Sequence, residues 1–308
     1  MFVHSLRAST AALALATLLL PGAASAGNGD PVHGYPSYRE RAVLALTNAC
    51  RQGPQQYRDA FLGTSRVLGP GKYPAVAPVY WTLPLNESAR AHSIDMATTP
   101  CFQHASCDGT DLWDRIRDFY SGARSLGENI ASGYDSPLDV VNGLVLDGGA
   151  ADFSRGDGHR RNIMSARFRE MGSGFSPGGP YGSYDTQDFG DRAPKFVTPL
   201  VSGSHIFSRA GKITFLASYY AKAAGAPSEA SLELEGVAHP MSLAFGSRKN
   251  GTYRASLPGT GRCRRYRFRF RDGSGRTWWY PEGGSLFTTG EGGCTREYEA
   301  AAAGSKGS

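Results

Sequence analysis

Phe102-Gln103-His104, Gly127-Glu128-Asn129-Ile130, Gly158-His159-Arg160-Arg161-Asn162-Ile163 and Thr186-Gln187-Asp188-Phe189-Gly190 follow one another between residues 102 and 190. Within that span His104, Glu128, Asp147 and His159 stand beside small or apolar residues rather than in charge runs, which predicts one shared pocket. Imidazoles and carboxylates are the nitrogen and oxygen donors that zinc and other borderline divalent ions accept, and the same groups perform general acid and base chemistry. No His-Glu-x-x-His pair and no cysteine pair at zinc-finger spacing accompanies them, so a tight, dedicated zinc site is not indicated. A weak or open site on His104 and His159 is the metal reading that remains. The competing reading is structural: each histidine satisfies a carboxylate and ties a loop to a helix.

Taken in order, these segments resemble the CAP domain, the cysteine-rich secretory, antigen 5 and pathogenesis-related 1 superfamily (SCP domain), in its bacterial form. The resemblance rests on His92-Ser93-Ile94-Asp95-Met96-Ala97 at a helix end, Phe102-x-His104-x-Ser106, Gly127-Glu128-Asn129-Ile130-Ala131, Gly158-His159-Arg160-x-Asn162-Ile163 and Thr186-Gln187-x-Phe189-Gly190, over about 150 residues. It implies an α+β fold, an α-β-α sandwich, with a central cavity lined by two histidines and two acidic residues. His104, Glu128 and His159 match three of those positions. The fourth is a Glu that in many relatives follows a Trp by three positions; here it matches Asp147, with Leu144 at the Trp position. That departure shortens the acid by one methylene and removes an aromatic wall.

With 308 residues, 40% hydrophobic and 11% aromatic, the chain has material for one large or two medium cores. Residues 1–26 read as a secretory signal peptide, with Arg7 in a short n-region, an apolar run from Ala11 to Leu20, and Ala24-Ser25-Ala26 as a small-residue cleavage site. That run is too short to span a bilayer, and no later one reaches the roughly 18 apolar residues a transmembrane helix needs. The mature chain is therefore expected to be secreted, extracellular or periplasmic, after cleavage near Ala26. Loss of Arg7 lowers the formal charge from +6 to +5, a mild basicity that suits anionic wall polymers, lipid headgroups or glycans. No Lys/Arg block with interleaved aromatics appears in the first region, so nucleic acid is not an expected partner.

Five cysteines in an exported chain predict disulfides with one thiol left over. Cys263 and Cys294 are expected to pair. Among Cys50, Cys101 and Cys107 one bridge is possible, and the sequence leaves its members open. A Cys101–Cys107 bridge would pin the loop that carries His104, whereas Cys50, on the core face of its helix, reads as a buried thiol.

Gly27 to Pro36 reads as a loose entry segment. From Ser37 to Arg51 the apolar positions Ala42, Val43, Leu46, Ala49 and Cys50 fall three and four apart, the stripe of an amphipathic helix that Gly53-Pro54 stops. A second helix is predicted from Asn86 to Ala97, enclosing His92, and a short one from Gly109 to Phe119 anchored by Trp113 and Ile116. Ser136-Pro137-Leu138-Asp139 starts another, which turns Val140, Val141, Leu144 and Val145 inward and ends at Asp147. A carboxylate at that end opposes the helix dipole unless a cation or a metal balances it. Asp157 reads as the cap of the next helix, with His159 in its first turn, and Arg160 and Arg161 as solvated or carboxylate-paired. Residues 170–190 read as two strands around a Gly-Pro-rich turn, closing a first domain of residues 27–192.

Residues 193–299 then alternate as short strands, which predicts a second, all-β domain, an immunoglobulin-like sandwich stapled by Cys263 and Cys294. Residues 300–308 read as a flexible tail. Arg265, Arg267, Arg269 and Arg271 form a cationic row near Trp278, Trp279 and Tyr280. It is either a surface for anionic glycan or wall polymer, or a solvated strand face with paired arginines.

Two functions compete. The first is a secreted module whose His104, Glu128, Asp147 and His159 cleft binds a divalent cation, zinc or another, or a small lipid-like or partner ligand, with the β domain attaching it to a cell-surface or cell-wall component. The second is a metal-assisted hydrolase, peptidase or wall-acting, with His104 or His159 as base, Glu128 or Asp147 orienting it, and Ser106 as the side-chain nucleophile on offer. Sterol and fatty-acid binding, ion-dependent binding and proteolysis are attached to different members of the resembling superfamily, so the fold does not choose between them.

Overall fold

The computed structural model describes residues 26–64, 66–147, 157–195, 198–208, 211–222 and 225–299. The expected signal peptide, apart from Ala26, and the C-terminal tail lie outside them. Helix α1, Tyr38–Gln52, starts where Ser37 and Glu40 exchange side-chain and backbone hydrogen bonds, Glu40 taking the Ser37 amide at 2.7 Å. That reciprocal cap satisfies two amides that a helix start otherwise leaves open. There follow α2 (Pro54–Phe61), β1 (Tyr80–Trp81), α3 (Leu83–Thr98), α4 (Leu112–Phe119), β2 (Leu126–Ser132), α5 (Pro137–Leu146), α6 (Gly158–Met164), β3 (Glu170–Pro177) and β4 (Ser183–Gly190).

The first sheet has the order β1-β3-β4-β2, antiparallel except for the β1–β3 pair, so β2 is an edge strand. Helix α3 lies directly on β3 and β4 because Gly172 and Gly174 give it room. A Cβ on Gly172 would stand 2.0 Å from the Asn86 nitrogen, and one on Gly174 2.2 Å from the Ala89 carbonyl carbon. The other face is covered by α1, α5 and α6, whose Val43, Leu46, Val140, Val141 and Ile163 share a core with Met171 and Phe189. This is the α-β-α arrangement that the resemblance implied.

The remaining strands are β5 (Leu200–Phe207), β6 (Lys212–Tyr220), β7 (Glu229–Leu234), β8 (Val237–Pro240), β9 (Ser242–Ser247), β10 (Asn250–Pro258), β11 (Arg265–Arg271), β12 (Thr277–Tyr280), β13 (Leu286–Thr288) and β14 (Tyr298–Glu299). They form two sheets, β5-β6-β10-β9 and β14-β13-β11-β7-β8, with β12 also on β11. Phe215, Tyr219, Tyr266, Phe268, Phe270 and Phe287 fill the core between them. The Cys263–Cys294 bridge joins the loop before β11 to the loop before β14.

The two regions share an interior. Ile206, Leu216 and Phe245, from the sheet β5-β6-β10-β9, belong to the same core as α1. The helix is consequently buried on both sides, its polar residues included. Asn48 donates to Val79 O and Ser202 Oγ, both at 2.9 Å, and Gln52 donates to Tyr219 O at 2.9 Å while accepting from Thr252 at 2.7 Å. An amphipathic stripe predicts one buried face, and the second cover comes from strands far along the chain. Nor is the entry segment loose: Asn28 donates to Leu200 O at 2.8 Å and Asp30 accepts from the Gly283 amide at 2.6 Å. Its turn-forming composition hid these long-range bonds.

The arginine row is a paired outer face. Arg265 meets Glu235, Arg267 meets Glu233 at 2.9 Å, and Arg269 and Arg271 meet Glu229, while Arg267 also stacks on Trp279 at 3.8 Å. Among the described residues no helix is long and apolar enough to cross a membrane.

Candidate functional site

Glu128 is the best-enclosed of the four candidate residues. Strand β2 carries its side chain fully inside, where His104 Nδ1 lies 2.8 Å from Oε1 and Arg115, from α4, donates to Oε2. Arg115 also donates to His104 O at 2.9 Å and Ser106 Oγ at 3.2 Å, so one guanidinium fixes both the acid and the loop opposite it. That loop is closed by a Cys101–Cys107 disulfide, which leaves Cys50 as the buried thiol. Burial pushes the Cys50 thiol up to about 12, which keeps it protonated and unreactive.

Two further ionisable groups share this interior. Asp188 is paired in register with Glu128 across β2 and β4 and accepts from Ser88 Oγ at 2.6 Å. Burial, and then the charge of Glu128, hold the Asp188 carboxyl well above the usual carboxylate range. His92 lies 3.9 Å from Glu128 and donates from Nε2 to Gln103 O at 3.0 Å. Burial lowers its pKa, ahead of the opposing pull of Glu128. The cluster thus reduces to one ionic pair, Arg115 with Glu128, flanked by a neutral acid and a neutral imidazole, the arrangement a dry interior requires.

The second pair is built at a helix end. Asp147 follows the last turn of α5 with φ 53°, in the left-handed region that aspartate tolerates better than most residues. Its Oδ1 lies 2.9 Å from His159 Nδ1, and its Oδ2 accepts from the Arg160 amide at 3.4 Å. Arg160 supplies the balancing cation that a carboxylate at this end demands: it is buried and donates to Val145 O at 2.7 Å and Leu146 O at 3.1 Å. Arg160 is therefore not solvated, and its bonds to these backbone carbonyls are of a kind that sequence spacing does not display.

The two pairs are tied together at the edge of β2. Asn129 donates to His159 O at 3.2 Å and Gln187 Oε1 at 2.9 Å, and Asn162 donates to Glu128 O and Asn129 Oδ1, both at 3.0 Å. Gln187 in turn reaches Thr47 of α1 at 2.9 Å. The opening segments contained Asn129, Asn162, Gln187 and Asp188, but nothing in the sequence separated their linking roles from packing. Two expectations need correction. Trp113 is exposed, not an anchor, while Ile116 is buried. Asp157 stands at the start of α6 without capping it, because its carboxylate is taken by Lys72 at 2.7 Å, Tyr73 at 2.9 Å and Arg161 at 2.6 Å.

The His104 pair fixes a tautomer: a carboxylate accepts, so Nδ1 of His104 carries the proton and Nε2 is the nitrogen left for a ligand, while His159 Nδ1 lies at ion-pair distance from Asp147. The side chains are 49% and 32% exposed, enough for one to reach them. With the carboxylates behind the rings, each Nε2 is a donor of the kind that divalent ions accept, and a carboxylate behind an imidazole is an orienting scheme common at metal sites. Among the described residues the one group of three or more metal-ligating side chains within ligand distance of one another is Asp95, Cys101 and Cys107, and both its sulfurs are spent in the disulfide.

Residues 44–189 match the profile of the cysteine-rich secretory protein family, CAP. A curated relative, the uncharacterized protein YkwD of Bacillus subtilis (strain 168), is 33% identical over 150 residues, covering 49% of this chain and 46% of YkwD. The chain therefore spans about half the length of that relative. Among solved structures, an extracellular SCP-domain protein of Bacillus anthracis is 23% identical over 50% of this chain and 40% of its own, with a TM-score of 0.35. Schistosoma mansoni venom allergen-like protein 4 is 15% identical over 51% and 92%, with a TM-score of 0.34. The family match and the ordered His104, Glu128 and His159 segments agree: residues 44–189 are a CAP domain, of the bacterial type.

Proposed function

We propose that this is a secreted CAP-domain protein whose cleft, bounded by the His104–Glu128 and His159–Asp147 pairs, binds a divalent cation through the histidine Nε2 atoms, or a small lipid-like or partner ligand at the same opening. The carrying observation is that both imidazoles are held from behind by carboxylates at 2.8 and 2.9 Å while their side chains remain 49% and 32% exposed. Rings satisfied structurally and buried would have no such front. For the lipid-like ligand, Phe102, two residues before His104, and Tyr181, in the turn between β3 and β4, offer apolar rings 42% and 57% exposed with centroids 5.9 Å apart. Export is supported by the leader-like N-terminus and by two disulfides. The β region would then serve as attachment to a cell-surface or wall component.

The test is thermal denaturation with and without zinc. Zinc is expected to raise the melting temperature of the wild-type protein and to leave that of His104→Ala/His159→Ala unchanged; an equal rise in both removes the metal reading. The hydrolase alternative has less support, because Ser106 is buried and its hydroxyl is held by Arg115. Turnover of a peptide or wall substrate that vanishes in a folded His159→Ala protein would favour it.

A further inference from the structure

A second opening lies beyond Asn162, between the end of α4, the start of β2 and the loop after α6. Its volume is about 460 Å3, and Arg117, Arg124, Arg161, Arg167, Trp113 and Phe168 line it without a single carboxylate among the lining residues. That size is typical of small-ligand sites. Two of the arginines have acids behind them: Arg161 pairs with Asp157 at 2.6 Å and Arg117 with Asp114 at 3.6 Å. Arg124 and Arg167 are exposed and make no side-chain ion pair among the described residues. The contrast with β11 is instructive, since there every arginine of the row meets a glutamate.

Unbalanced guanidinium groups around one concavity focus a positive potential into it. They also present planar forks that match the oxygens of carboxylate, sulfate or phosphate. Trp113 adds a different element. It is 40% exposed and lies one helical turn from Arg117 on the same face of α4, so a flat apolar ring stands beside the cationic wall. A bare inorganic anion has no use for that ring, whereas a sugar stacks its apolar face on one and turns its acidic substituent to the arginines.

We propose that this cavity binds an anionic saccharide, with a sugar ring against Trp113 and an acidic group held by Arg124 and Arg167. The site goes beyond the histidine cleft and uses none of its four residues. Isothermal titration of the intact protein at low ionic strength tests it, with a sulfated tetrasaccharide, its desulfated counterpart and inorganic phosphate as probes. The sulfated sugar is expected to bind about tenfold or more tightly than the desulfated one. Arg124→Gln/Arg167→Gln should weaken it about tenfold, and Arg254→Gln/Arg262→Gln, with the same net charge, should not. Trp113→Ala should weaken the sulfated sugar severalfold and leave phosphate unaffected. All five side chains are exposed, and unchanged circular-dichroism melting will show that the variants fold. Absence of binding, equal affinity for the two sugars, or equal loss in the two double variants overturns the proposal. An unaltered sugar affinity in Trp113→Ala removes the ring contact and the saccharide assignment with it.

Discussion

His104 and His159 each set Nδ1 against a carboxylate, at 2.8 and 2.9 Å, and the two acids are housed very differently. Glu128 is a strand residue, its side chain wholly enclosed between Arg115, His92 and Asp188. Asp147 closes a helix, with a left-handed backbone and an arginine whose side chain holds the helix carbonyls. A histidine can thus be oriented by a buried charge pair or by the end of a helix. The first construction is rigid because any change strands a charge in a dry interior; the second leans on backbone geometry and tolerates more.

Removing the cation should separate the two corners most sharply. Arg115→Met leaves the Glu128 carboxylate buried without its arginine, with only His104 against it, at an expected cost of about 3–5 kcal/mol, measured by urea unfolding. A loss below about 1 kcal/mol would mean that Glu128 is not held as an ion. Arg160→Met strands the Val145 and Leu146 carbonyls instead, and a smaller loss of about 2–3 kcal/mol is expected. Histidine NMR signals should shift at His104 in the first variant and at His159 in the second; a shift of both in either variant would show the corners to be one unit.

The difference also explains what could be read from the chain. His104, Glu128, Asp147 and His159 stood out because charged or imidazole side chains next to small and apolar residues are conspicuous. Their helpers did not. Arg115 lies 13 residues before Glu128 on a helix whose apolar pattern drew attention to Trp113, and Asp188 lies 60 residues beyond it, visible as a partner only once the β2–β4 register is known. The need for a cation near Asp147 followed from the helix dipole, but which arginine would meet it depended on bonds to carbonyls, which carry no sequence signal. For the same reason α1 read as a one-sided helix: its second cover, Ile206, Leu216 and Phe245, arrives from strands that must first pair with each other.

Asp188 allows the enclosed corner to be examined without breaking it. Its folded-state pKa is raised, first by burial and then by Glu128. A carboxyl raised in this way contributes fully to stability below its unfolded value, and the contribution is lost as pH rises through the folded one. Asp188→Asn keeps the shape and cannot ionise. The two proteins should run parallel below about pH 4 and diverge above it until the folded carboxyl ionises, with the variant gaining relative to wild type in urea midpoints taken from about pH 4 to about pH 9. Glu40, pushed up to about 7 by burial, acts in the same direction in both proteins and cancels in the comparison. Parallel curves throughout would mean that Asp188 is ionised in the fold.

The smallest effect is expected at the helix end, from Asp147→Glu, the substitution toward the longer acid of the resembling pattern. The residue at this position must hold φ near 53°, where a short polar side chain is tolerated and a longer one meets the left-handed penalty, about 1 kcal/mol. Glutamate would also overshoot the 2.9 Å contact with His159 unless the ring withdraws. A melting temperature lowered by a few degrees, together with a zinc response altered through His159 and not through His104, would show that the turn selects the shorter acid. If Asp147→Glu melts with wild type, the backbone conformation imposes no such choice, and the preference for aspartate must come from whatever the cleft accommodates.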